Sequence, residues 1–175
     1  MTTTTTCAQK FTMNGLPLLA SGTQTSPLVA CENLWLHSKV YSRGGENALH
    51  AHVTEDHVFF VLQGAAEFTL GDGSTIRADR FEGIMLPKGA HYMFQAQGDE
   101  NLVILRIGAG PEPTTYVRNG FGLSGAKESP VAQVDVVDAD NQPILDNNSA
   151  QKGRSPAEPR VPLPGRYFGA PPADH

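Results

Sequence analysis

Three of the six histidines in this 175-residue chain, His50, His52 and His57, fall inside eight residues of the run ALHAHVTEDH, Ala48 to His57. In an extended strand, side chains two apart share a face, so His50 and His52 project together at a separation that suits two ligands of one ion. His57 can return from the next strand. Imidazole suits Zn, Fe, Cu and Ni, and three neutral rings leave coordination positions open for water, oxygen or substrate. Glu55 and Asp56 stand close enough in sequence to serve either as further ligands or as acceptors for the imidazole N–H groups. The competing interpretation, polar residues on a solvated hairpin, suits a lone histidine better than three in this pattern.

The elements that must position these groups are short strands. From about residue 30 to 110 the chain runs in stretches rich in β-branched and aromatic residues, punctuated by Gly: Leu34 to Tyr41, Ala48 to Val53, His57 to Gln63, Ala66 to Leu70, Ser74 to Ala78, Gly83 to Pro87, His91 to Gln95 and Leu102 to Ile107. Asp72-Gly73 between two such stretches is a strong hairpin signal. So many short strands predict a closed or sandwiched antiparallel sheet. Residues 1–29 form an arm whose apolar piece, Leu16 to Ala20, can pack as an edge strand. Residues 126 to 175 hold eight of the 13 prolines and only two aromatics, Tyr167 and Phe168, too little apolar surface to fold alone. The expected organisation is an arm over 1–29, a β-barrel over 30–110 and a Pro-rich extension over 111–175. That extension packs on the barrel or on a dimer partner, with Pro164 to Gly169 as the docking patch.

Composition narrows the partners. A formal net charge of -5, with no two basic residues adjacent, offers nothing to a phosphate backbone, so no nucleic acid is expected. The N-terminal segment lacks a basic region followed by an apolar one, and no window approaches 18 apolar residues, so no membrane partner and a cytoplasmic location are expected. Cys7 and Cys31 are too few for a disulfide framework and are expected as free thiols. On the barrel strands, Trp35, His37, Lys39 and Tyr41 share one face, lining a second mouth or an exposed surface. Lys39, Arg43 and Arg106 could meet a substrate carboxylate, with surface solvation the expected role of each. Alternation aligns Ala48 and Glu46 with the paired histidines, and Phe59 and Val61 with His57, giving a mostly apolar interior.

The segment Gly44 to Gly64 resembles the first motif of the cupin superfamily, G-x(5)-H-x-H-x(3,4)-E-x(6)-G, with Gly44, His50, His52 and Gly64 in register. His57 stands where that family usually has Glu. Pro87 to Phe94 resembles the second motif, G-x(5)-P-x-G-x(2)-H-x(3)-N, but the register places Tyr92 at the usual ligand position and His91 one residue early; Phe81 and Ala96 replace the Gly and Asn. A one-residue slip turns a side chain to the opposite face unless a bulge intervenes. Either Tyr92 faces the barrel interior, or a bulge lets His91 complete a four-histidine site.

The resemblance, to single-domain barrels of the cupin 2 type, covers under half of the chain. It implies an all-β double-stranded β-helix, a jelly roll, with the metal near mid-barrel and commonly a homodimer. It also implies one divalent ion per subunit, held by His50, His52, His57 and, in the second arrangement, His91: Fe(II), with Zn, Mn, Ni or Cu as alternatives. The activity implied is a mononuclear non-haem dioxygenase or oxidoreductase on a small, partly apolar organic substrate, with Tyr92 as the catalytic side chain. Two alternatives stand beside it: an isomerase or lyase using the ion as a Lewis acid, with Tyr92, His91 or Glu46 moving the proton, and a barrel that binds a small ligand without catalysis.

Overall fold

The computed structural model describes residues 8–110, 136–142 and 159–172, apart from the side chains of residues 45–47, 136 and 138. The rest of the C-terminal extension, Cys7 and the side chain of Glu46 lie outside the described residues. All regular elements described are strands: β1 (Leu16–Ser21), β2 (Thr23–Ala30), β3 (Leu34–Tyr41), β4 (Gly45–His52), β5 (Asp56–Gln63), β6 (Ala65–Leu70), β7 (Thr75–Ala78), β8 (Gly83–Leu86), β9 (Tyr92–Gln97), β10 (Leu102–Ala109), β11 (Val136–Asp138) and β12 (Val161–Phe168). Among the described residues, no helix is long and apolar enough to cross a membrane.

Two five-stranded antiparallel sheets, ordered β2-β3-β10-β5-β8 and β11-β4-β9-β6-β7, carry the barrel. Their inward side chains meet in one core that includes Tyr41, Phe59, Val61, Phe68, Ile84, Tyr92, Phe94, Leu102 and Ile104. Alternation explains why these residues point inward: each is two or a multiple of two from the next on its own strand. The Asp72-Gly73 hairpin forms as its sequence requires. Gly73 has φ +82°, and the Asp72 carboxylate accepts from the Ser74 amide at 2.9 Å.

The arm is more integrated than its composition suggests, for β2 adds a strand to the edge of the first sheet through β3. β1 instead pairs with β12, Leu16 opposite Phe168, in a two-stranded ribbon. Leu16 and Leu19 of that ribbon pack on Val40 and Val103, the outward face of the first sheet. Asn101 fastens the ribbon: its Oδ1 accepts from the Leu19 amide at 2.5 Å and its Nδ2 donates to the Leu19 carbonyl at 2.9 Å.

Candidate metal centre

Cross-strand register builds the site in rows. Gly108 of β10 lies opposite Trp35 of β3 on one side and His57 of β5 on the other, and the next inward row sets Arg106 between His37 and Phe59. Gly108 is the position where the row needs an empty side chain, because a Cβ there would collide with the Trp35 indole. The indole therefore lies across β10, edge-on to His57 with ring centres 5.6 Å apart, and its Nε1 donates to Glu55 Oε2 at 2.9 Å.

Glu55 comes from the turn between β4 and β5 and is 1% exposed. Gly110 makes room for it, since a Cβ there would approach the Glu55 Cβ to 2.7 Å. Its Oε1 stands 3.0 Å from His52 Nδ1 and 2.7 Å from His57 Nε2. His52 and His57 thus face each other from opposite sheets, ring centres 4.3 Å apart, with one carboxylate between their N–H groups. On its other side His52 meets Arg106, whose Nη2 donates toward His52 Nε2 at 3.1 Å. The same Nη2 is 3.1 Å from His57 Nε2, 3.3 Å from His57 Nδ1 and 3.8 Å from Glu55 Oε1.

Burial alone would raise the Glu55 carboxyl, but the His52 and His57 N–H groups hold it well below the usual carboxylate range. His57 is pushed down to about 3, first by burial, which disfavours the imidazolium, and then by the neighbouring Arg106 charge. Near neutral pH the site therefore holds a carboxylate, a guanidinium and a neutral His57. Two imidazoles and an ionised carboxylate, their donor atoms all within 4.8 Å of one another, make a set of the right chemistry to hold a metal ion.

The sequence-predicted residues divide clearly. His52 and His57 enter this cluster, with Glu55 as third donor. His50 is buried beside them on the same face, its ring centre 5.4 Å from that of His52, and its Nδ1 is bonded to the Ala48 carbonyl at 2.8 Å. Tyr92 faces inward, 1% exposed, with its ring centre 4.6 Å from that of His50. The structure does not bring His91 into the cluster: half-buried, it lies beside Gly71, whose amide donates to its carbonyl at 2.9 Å. The strand runs without a bulge that would turn it inward, and Tyr92 and Phe94 share the interior parity.

Asp56 is exposed and accepts from the Lys88 amide at 2.8 Å, away from the imidazoles. Arg106 and Lys39, expected to be solvated, are 2% and 4% exposed on the inward face. In the folded strands Arg106 keeps step with Leu102, Ile104 and Gly108, and Lys39 with Trp35, His37 and Tyr41. Cys31 is an exposed free thiol, and Arg43 is exposed.

Residues 39–108 match the family profile described as "Cupin domain". Among solved structures, a Ralstonia eutropha protein described as a candidate mannose-6-phosphate isomerase aligns at 16% identity and TM-score 0.50, covering 54% of this chain and 91% of that one. The Schizosaccharomyces pombe Cnp3 cupin domain aligns at 20% identity and TM-score 0.48, covering 53% and 67%. Streptomyces Pac13, a nucleoside dehydratase, aligns at 13% identity and TM-score 0.47, covering 59% and 83%. No curated protein sequence matches the chain. The fold is the double-stranded β-helix, and within it residues 39–108 are the part that matches the cupin domain profile.

Proposed function

We propose that this chain is a metal-dependent cupin enzyme, a mononuclear non-haem dioxygenase acting on a small, partly apolar organic molecule, with His52, Glu55 and His57 holding one Fe(II). The observation that carries the proposal is the buried set of two imidazoles and one carboxylate, the donor set of non-haem Fe(II) oxygenases. The ion, when bound, supplies open positions at which dioxygen and substrate can meet. His50 and Tyr92 flank the donors, Tyr92 as the residue that orients substrate. Phe59 and Tyr92, inside the barrel with ring centres 5.5 Å apart and each in ring contact with the histidines, suit a partly apolar substrate. The half-buried Phe60, Leu105 and Ile107 on the outward face of the first sheet suit a homodimer.

The test is elemental analysis of protein purified without added metal, followed by anaerobic Fe(II) loading and measurement of oxygen uptake over a panel of phenols and diketones. Uptake coupled one-to-one to substrate loss, and abolished in Glu55→Gln and His57→Ala, is the expected result. Absence of turnover with every divalent metal overturns the enzyme assignment. Turnover that persists with Zn(II) and without oxygen replaces the dioxygenase by a Lewis-acid isomerase or lyase.

A further inference from the structure

The metal reading gives no task to the buried guanidinium of Arg106, which stands among the donors. Its position is closely defined. Besides the contacts to His52, His57 and Glu55, its central carbon lies 4.9 Å from the Trp35 ring centre and 5.6 Å from that of Phe59. Two aromatic faces and a carboxylate are favourable surroundings for a delocalised, weakly hydrated cation. Its charge also faces the Glu55 carboxylate, with Nη2 at 3.8 Å from Oε1.

A divalent ion needs the same atoms. Metal–imidazole bonds are about 2.0–2.1 Å long and use the nitrogen lone pair. With Nδ1 turned to Glu55 as the donor, the lone pair of the His52 ring lies on Nε2, and that atom meets Nη2 of Arg106 at 3.1 Å. A hydrogen bond and a metal bond cannot use that lone pair together. An ion added with Arg106 in place would also leave two unbalanced positive charges in a buried site, which low polarity penalises heavily.

Resting on the metal reading, we infer that Arg106 is an internal cation gating the metal centre. It occupies the imidazole nitrogens when no ion is bound and must leave them for an ion to enter. Arg106 is thus a positioning residue that sets metal affinity, and the cost of withdrawing it is built into the measured binding constant.

The experiment titrates chelator-stripped protein with Co(II) and Zn(II), following the Co(II) visible spectrum and competition against a chromophoric chelator. Arg106→Met should bind Co(II) at least tenfold more tightly than wild type, Arg106→Lys should stay close to wild type, and Glu55→Gln should bind more weakly. If Arg106→Met binds no more tightly than a wild type that takes up one ion, the gate is overturned and the metal site stands. If no variant takes up either metal, both fail. A measurement on wild type guards against misfolding of the variants: the ¹⁵N-labelled guanidinium resonance of Arg106 should shift on saturation with Zn(II). An unchanged resonance at full occupancy overturns the gate.

Discussion

Replacing Gly108 by Ala adds one methyl group at the point where the candidate site has no space. The new Cβ would lie inside the van der Waals envelope of the Trp35 indole carbons Cε2 and Cζ2 and 2.5 Å from Nε1. The backbone of β10 is hydrogen-bonded on both sides, so the indole must yield. Overpacking of this kind costs about 1–3 kcal/mol. Moving the indole also strips Glu55 of its bond from Trp35 Nε1, a hydrogen bond to a buried charge worth about 1.5–3 kcal/mol. The two together predict a loss of about 2.5–6 kcal/mol. For a chain of this length that corresponds to a fall of about 5–24 °C in midpoint.

Trp35 is the only tryptophan, so intrinsic fluorescence reports on this residue alone. Thermal and urea unfolding followed by its emission should show the lowered midpoint and a native spectrum shifted to the red. Trp35→Phe in the Gly108→Ala background should recover part of the packing loss, giving a strongly non-additive double-mutant cycle. If Gly108→Ala leaves midpoint and emission unchanged, or the cycle is additive, then the row Trp35–Gly108–His57 does not position the site as described.

Three further outcomes are expected. Stability should fall with acid: His57 titrates near 6.5 in the unfolded chain and near 3 in the fold, so the unfolded state takes up the extra proton between those values. The contribution is full above about pH 6.5 and is lost with a slope of up to about 1.4 kcal/mol per pH unit as pH falls; Glu55 adds a second loss below its unfolded value of 4.5. Urea midpoints of wild type and His57→Gln between pH 4 and 7 check this, and parallel profiles would contradict it. Phe81, exposed with φ +71° at the position where the family motif has Gly, should rank below Gly and above Val. Phe81→Gly should gain up to about 1 kcal/mol and Phe81→Val lose about as much, measured as shifts in urea midpoint. Asn101→Ala should cost about 1–3 kcal/mol through two lost bonds to Leu19 and should speed amide exchange across Leu16–Ser21, read by hydrogen-exchange mass spectrometry.

The barrel was legible because its strands obey a local rule. Period-two alternation and Gly punctuation located the strands β3 to β10, and the same alternation placed His50 with His52 and favoured Tyr92 over His91. What sequence left unread depends on contacts that no local rule carries. Glu55 sits in a turn, where no periodicity states which way a side chain faces, and its burial rests on Gly110, which only the folded chain brings beside it. The Trp35–Gly108 pairing joins residues far apart in the chain. Arg106 is the instructive case. Its strand, LVILRIG, is apolar on both faces, so parity alone did not choose a side, and the tendency of charged residues toward water pointed outward. A carboxylate, two imidazoles and two aromatic rings together made the interior the better place.

The ribbon of β1 and β12 sets an order of events during synthesis. Its two strands are about 150 positions apart, so Leu16–Ser21 leaves the ribosome well before its hydrogen-bonding partner exists. At about 5–20 residues per second the wait is roughly 7–30 s, long compared with hairpin formation, so the barrel strands have time to assemble while β1 lacks its mate. During that interval the β1 edge and the outward apolar face around Val40 and Val103 are open to other chains. The Asn101 clasp, drawn from the barrel itself, holds Leu19 against that face without waiting for β12 and so shortens the exposure.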